Sequence, residues 1–161
     1  MITVRGNAKI NLTLDVLHKR PDGFHQVEMI MQAIELADIL KLEEKQTGDI
    51  SIKTNIAHLP CDQRNLAYQA AKLIKDTYRI EKGVHIFLEK NIPMSAGLAG
   101  GSTDAASVLV GLNRLWNIGL SLAELENLGA KLGSDVPFCL QGGTMLATGR
   151  GEILDSLPFM P

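Results

Sequence analysis

The feature that most constrains this chain is the stretch PMSAGLAGGSTDAAS, residues 93–107, set between a strand-like run and a helix-like run. Ahead of it, 84–88 follows Gly83 and is apolar and β-branched enough to read as a strand. Behind it, Ala105, Val108, Leu109, Leu112, Leu115 and Trp116 recur at helical spacing, so a helix with one buried face follows. Gly97, Gly100 and Gly101 are expected to take φ > 0 and to let the backbone approach a ligand. Ser102, Thr103 and Asp104 then open a helix whose first amides lack internal acceptors and whose dipole is positive at that end. A strand, a glycine turn and a helix N-terminus in that order make a cradle for phosphate. The Walker pattern is excluded, because Gly101 is followed by Ser102 and Thr103 with no lysine between, and the dinucleotide fingerprint fails on spacing as well.

The rest of the chain gives that cradle an α+β setting. Short strands are expected at 2–4, 9–16, 27–34, 39–43 and 50–54, with Pro21-Asp22-Gly23 forcing a turn after the second. Alternation over 9–16 puts Ile10, Leu12, Leu14 and Val16 on one face and Lys9, Asn11, Thr13 and Asp15 on the other, so Lys9 and Asn11 share a polar row. A helix is expected over 65–77, capped by Asp62 or Asn65. Another starts at the capping box Ser121-Leu122-Ala123-Glu124, runs through Leu132 and stops at Gly133. Asp135 opens a new helical turn with Pro137 in its first positions. Strands at 143–148 and 152–157 join around Gly149-Arg150-Gly151, and 157–161 reads as the start of a linker. Met29, Met31 and Trp116 fall at core periodicity. Strands gather in the first third and helices in the middle, which is not the strict alternation of a doubly wound parallel sheet.

Composition narrows the function classes. Of 161 residues 45% are apolar and 21% charged, an ordinary single-domain balance. A net charge of −2 leaves no positive field to recruit nucleic acid or anionic lipid. Two cysteines, Cys61 and Cys139, suggest neither a disulfide framework nor a zinc site. No run approaches the ~20 apolar residues of a membrane span, and a cytoplasmic setting is expected.

Taken with their order, three further segments make the sequence specific: AKINLTLDV at 8–16, KRPDGFH at 19–25 and LGSDVPF at 132–138. Together with the glycine loop and Arg150-Gly151-Glu152, they resemble the kinases grouped as galactokinase, homoserine kinase, mevalonate kinase and phosphomevalonate kinase. Within that GHMP superfamily they resemble the 4-diphosphocytidyl-2-C-methyl-D-erythritol kinase family, and the resemblance covers the whole chain. It implies an N-terminal GHMP domain over residues 1–161, like the second domain of ribosomal small-subunit protein S5. The family's second, ferredoxin-like domain is absent from these residues. The activity implied is ATP-dependent phosphorylation of the substrate's 2-hydroxyl in the methylerythritol phosphate route to isoprenoids, with ATP, Mg²⁺ and a cytidylyl-linked alcohol as partners and no nucleic acid or membrane.

By the same resemblance, Lys9 and Asp135 are the catalytic pair: the ammonium steadies charge on the γ-phosphate and the carboxylate accepts the hydroxyl proton. The loop residues Pro93, Met94, Ser95, Ala96, Gly97, Leu98, Ala99, Gly100, Gly101, Ser102 and Thr103 hold the nucleotide, flanked by Asn65 and Lys90. Phe24 stacks on cytosine where the family has tyrosine, His25 meets the base edge, and Asn11 joins them on the substrate side. Mg²⁺ is expected to rest on phosphate and water, with the Ser102 or Thr103 hydroxyl as a possible ligand and no carboxylate cage. Other readings are a different GHMP-type small-molecule kinase, an RNA-binding module on the same fold, and a nucleotide-binding protein without turnover. The KRPDGFH segment argues against the first, and the acidic balance with 4% aromatic content against the second.

Overall fold

The computed structural model describes residues 1–158. Its spine is a long antiparallel ribbon of β1 (Ile2–Lys19) and β2 (His25–Lys45), closed by a turn in which Gly23 takes φ 86° and Asp22 Oδ1 accepts from the Phe24 amide at 3.1 Å. The four short strands expected over residues 2–43 are thus two long ones. The strands run through residues 5–8 and 35–38 without a turn, with an irregularity of register between Asn7 and Lys9.

On its other edge β2 is shared. Its second half pairs with β4 (Gly83–Glu89), and its first half with β5 (Thr144–Thr148), which in turn pairs with β6 (Ile153–Ser156). β3 (Ile50–Thr54) lies parallel to β4, and α1 (Leu66–Tyr78) makes the crossover between them, a βαβ unit that the sequence reading does not anticipate. The remaining helices are α2 (Gly100–Leu115), α3 (Leu122–Gly129) and α4 (Val136–Gln141).

Helices α1 and α2 cover one face of the sheet. Leu40, Leu42, Val84, Ile86 and Leu88 meet Ala67, Ala70, Ala71 and Ile74 of α1 and Ala105, Val108, Leu109 and Leu112 of α2, all at or near zero exposure. Burying one such leucine contributes about 1.5–3 kcal/mol. Alanine on the facing helices lets them sit close, and at Gly111 the approach is closer still: a Cβ there would fall 2.2 Å from Leu42 Cδ1. A second cluster, Met29, Met31, Phe138, Met145 and Ala147, seats α4 under the start of β2. Met29 and Met31 are core as expected, and Trp116 packs half-buried at the edge of the larger cluster.

The caps stand as expected and one boundary moves. Asn65 caps α1, with Oδ1 accepting from Ala67 N at 2.9 Å, and Ser121 with Glu124 forms the full capping box of α3. However, α3 ends at Gly129 rather than Leu132, because a Cβ at Gly129 would lie 2.8 Å from Val136 Cγ1 and the chain must turn there to bring α4 in.

The expected alternation along 9–16 fails for a definite reason. Cross-strand partners share a face, and Lys9 pairs with Ala33 and Asn11 with Met31, but the next partners on that face are Leu14 with Met29 and Val16 with Val27. Leu12 is an extra residue, so everything after it changes sides. Leu14 and Val16 therefore lie on the face of Lys9 and Asn11. They are 54% and 60% exposed, whereas Met29, the partner of Leu14 on β2, packs with Phe138 of α4.

Candidate functional site

The glycine loop builds its cradle differently from expectation at single residues. Gly97 has φ 75°, but the other left-handed positions are Ser95 and Ala99, at 57° and 58°. Non-glycine residues pay about 1–2 kcal/mol for that conformation, the kind of strain that gathers at binding sites. Gly100 and Gly101 are instead the first residues of α2. Their lack of a side chain serves contact: a Cβ at Gly100 would lie 3.1 Å from Lys90 Nζ, and one at Gly101 would lie 3.3 Å from Leu66 Cδ1.

Because Ala99 caps α2 without a side-chain acceptor, the amides of Gly100, Gly101 and Ser102 precede the first intrahelical bond, Thr103 N to Ala99 O at 2.9 Å. Gly100 and Gly101 border a cleft of about 380 Å³, lined by residues 93–101 on one side and by Leu59, Pro60, Arg64, Asn65, Leu66, Lys90 and Asp104 on the other. Unsatisfied amides on a helix start, with apolar walls beside them, suit a phosphate joined to a flat ring.

Lys9 is tied to the loop by the backbone, although neither it nor Asn11 nor Asp135 lines the cleft. Its amide donates to Leu98 O at 3.2 Å, which fastens β1 to the loop. Its side chain is nearly buried, with Nζ donating to Asn11 Oδ1 at 3.0 Å and standing 3.6 Å from Asp135 Oδ2. Asp135 is the N-cap residue of α4, with Pro137 in the first turn, yet its carboxylate makes no capping bond and stays partly open to solvent. The cap position orients it and leaves it available. A Cβ at Gly133 would be 3.9 Å from Ser102 Oγ, so the turn that carries Asp135 abuts the start of α2. Lys9 is thus joined both to Leu98 of the loop and to Asp135 at the start of α4.

Several expected contacts are committed elsewhere. Thr103 Oγ1 is buried and donates to Asn7 O at 2.7 Å, a bond between α2 and β1, so among the two hydroxyls named for a metal only that of Ser102 is at hand. Neither Ser102 nor Thr103 lines the cleft. Asn65 lines it, but its amide is used at both ends, by Ala67 N and by Pro60 O at 2.8 Å. Lys90 also lines it, and its ammonium is shared between the buried carboxylates of Asp38 and Asp104. Among the described residues no group of three or more His, Cys, Asp or Glu is placed to hold a metal. Cys139 lies one turn after Asp135; burial pushes its thiol up to about 12, so it is no nucleophile at neutral pH.

Phe24 and His25 stand away from the cleft, both exposed, at the end of the ribbon. Phe24 lines a second hollow of about 290 Å³ with Ser134, Pro137, Arg150 and Glu152, next to Asp135 in sequence. The Arg150 guanidinium lies 4.8 Å from the Phe24 ring centroid, and Glu152 in turn accepts from the Arg150 amide.

Three functional candidates escape the sequence reading. Asp38 had a signal, an acid inside the apolar run Leu36-Ala37-Asp38-Ile39-Leu40, which a buried strand tolerates only when the charge is partnered. Asp104 looked like one more helix-start residue. Arg150 was seen as part of a motif, with nothing in the sequence to say that it covers Phe24.

Residues 65–143 match the GHMP kinases N terminal domain. A 4-diphosphocytidyl-2-C-methyl-D-erythritol kinase of Geobacillus sp. (strain WCH70) is 58% identical over 99% of this chain and 55% of its own length, and that of Bacillus subtilis (strain 168) is 57% identical over the same shares. A crystal structure of 4-(cytidine 5'-diphospho)-2C-methyl-D-erythritol kinase superposes with a TM-score of 0.85 at 39% identity, covering 97% of this chain and 55% of that one. The Methanococcus jannaschii mevalonate kinase shares the fold at 17% identity, with a TM-score of 0.75 over 98% of this chain and 56% of its own. The chain spans about half the length of the curated relatives it matches. Among the described residues no helix is long and apolar enough to cross a membrane.

Proposed function

We propose that the chain, whose residues 65–143 match the GHMP kinases N terminal domain, supplies the ATP-binding half of an enzyme that phosphorylates the 2-hydroxyl of 4-diphosphocytidyl-2-C-methyl-D-erythritol, a step of the methylerythritol phosphate route to isoprenoids. The observation that carries this reading is the junction at Lys9, whose amide bonds Leu98 O of the loop while its ammonium stands 3.6 Å from Asp135.

In this reading the triphosphate lies along the open amides at the start of α2, and the adenine takes the apolar side of the cleft, toward Leu59, Pro60 and Leu66. Lys9, steadied by Asn11, compensates charge on the γ-phosphoryl group. Asp135 accepts the proton of the attacking hydroxyl as the new O–P bond forms and the bond to the β-phosphate oxygen breaks, releasing ADP. Fixed charges that need no rearrangement at the moment of transfer stabilise it most. Cytosine stacks on the Phe24 face away from Arg150, with His25 at its edge. Mg²⁺ would neutralise triphosphate charge, held by phosphate oxygens and water, with the Ser102 hydroxyl the protein group nearest to hand. A second domain outside these residues completes the substrate side. The reaction belongs to the cytoplasm, with small molecules as its partners.

The test is calorimetric titration of the intact protein with a non-hydrolysable ATP analogue and, separately, with the cytidylyl substrate, followed by phosphorus NMR of the product. Binding of both and a new phosphate on the 2-hydroxyl are expected. Transfer to mevalonate or homoserine in preference would assign a different GHMP kinase, and failure to bind ATP would remove the reading altogether.

A further inference from the structure

The floor of the cleft holds charges that phosphoryl transfer does not use. Asp38 on β2 is wholly buried. Its Oδ1 accepts from two consecutive amides, Asn91 N at 2.6 Å and Ile92 N at 2.8 Å, and its Oδ2 pairs with Lys90 Nζ. Asn55 brackets the same segment, accepting from Lys90 N at 2.8 Å and donating to Lys90 O at 3.1 Å. Residues 90–92, on which the loop stands, are therefore bonded to the sheet on two sides. The far end of the loop is held by the same ammonium, since Lys90 Nζ donates to Asp104 Oδ2 in α2 at 2.8 Å.

We infer that Asp38, Lys90 and Asp104 form a clasp that joins the two ends of the glycine loop and thereby sets its affinity for the triphosphate, with Lys90 a positioning residue rather than a phosphate ligand. The inference rests on the reading of this loop as the ATP site. Three observations carry it. The Lys90 side chain is 5% exposed, too deep to greet a phosphate as a free cation. Gly100 sits directly on its Nζ, so the helix start is built over the ammonium and needs it in place. Between the two tied ends the loop holds left-handed residues at Ser95 and Ala99, a conformation that persists only when its surroundings over-determine it. Burial pushes the Asp104 carboxyl up to about 8 against the pull of Lys90.

Asp104→Ala separates the clasp from direct ligation. A ligand lysine relieved of a competing acceptor would bind ATP as well or better, whereas a clasp opened at its helix side binds it worse. The measurement is displacement of a fluorescent ATP analogue from the intact protein, with steady-state kinetics on both substrates. Wild-type protein comes first, because its failure to bind ATP would sink the ATP-site reading and not the clasp. Given wild-type binding, Asp104→Ala is expected to raise Kd and KM for ATP roughly tenfold or more, the usual cost of a lost charge-assisted bond. KM for the alcohol substrate should stay within about twofold, and amide exchange over 93–99 should quicken. Asp104→Asn, which keeps an acceptor for Lys90, should restore ATP binding. If alanine does not fold, Asp104→Ser, too short to reach Nζ, takes its place. ATP binding by the folded variant at or above wild-type strength overturns the proposal.

Discussion

The two ends of this site are built in opposite ways. At the phosphate end every charged group is held: Lys9 by Asn11 and Asp135, Lys90 by Asp38 and Asp104, and the loop by Lys9 N. At the other end Phe24 and His25 are exposed at the tip of the β1–β2 ribbon, with the Arg150 guanidinium over the Phe24 ring. On the function proposed above, the difference follows from what each end is to recognise. Triphosphate charge is stabilised only by dipoles already in place, since groups that must reorganise give back what they contribute. A flat base needs a platform, and stacking tolerates a mobile partner that closes from the other side.

The comparison can be broken at several points. Asp135→Asn is the severest, expected to lower kcat roughly 10²- to 10⁴-fold with the KM for ATP little changed, as for a positioned base. Near-normal turnover would take Asp135 out of the role. Phe24→Ala should raise KM for the cytidylyl substrate about tenfold, in line with the worth of one stacked base, and leave ATP binding alone. A parallel loss of ATP affinity would show that the two ends are not independent. Asp104→Asn should alter stability against pH. The native carboxyl titrates near 8 and the unfolded one near 3.8, so between those values the native state keeps a proton that the unfolded state has lost, and stability falls as pH rises. Removing the group flattens that fall by up to about 1.4 kcal/mol per pH unit, readable from urea titrations at pH 5 and 7. The smallest effect belongs to Ala99→Gly, which relieves the left-handed strain at 58°; it should change melting behaviour by about 1 kcal/mol or less while slightly weakening ATP binding through a looser loop.

What could be read in advance was whatever chemistry is local. The caps at Asn65 and Ser121, the turn at Gly23 and the strand-loop-helix order around residue 97 each rest on a few neighbouring residues, and each stands in the fold. Lys9 and Asp135 are different. No spacing rule joins positions so far apart, and only the family resemblance put them side by side. The Asp38 clasp was illegible because its members look ordinary one at a time: an acid in a strand, a lysine at a strand end, an aspartate in a helix. Gly100 and Gly101 misled because glycine has two uses, turning and close approach, and the sequence does not say which is in force.

The additional residue at position 12 of the ribbon carries a lesson about how such an arm changes its purpose. It is the strand's length, ahead of any side-chain identity, that decides whether Leu14 and Val16 look toward the reacting groups or away from them. Deleting one residue there would rotate the outer arm's whole complement of side chains by half a turn while leaving Lys9 and its neighbours untouched. A lineage or a designer could thus exchange the face that this arm presents beside Lys9 through a single-codon indel, with no point mutation at Lys9 or Asp135.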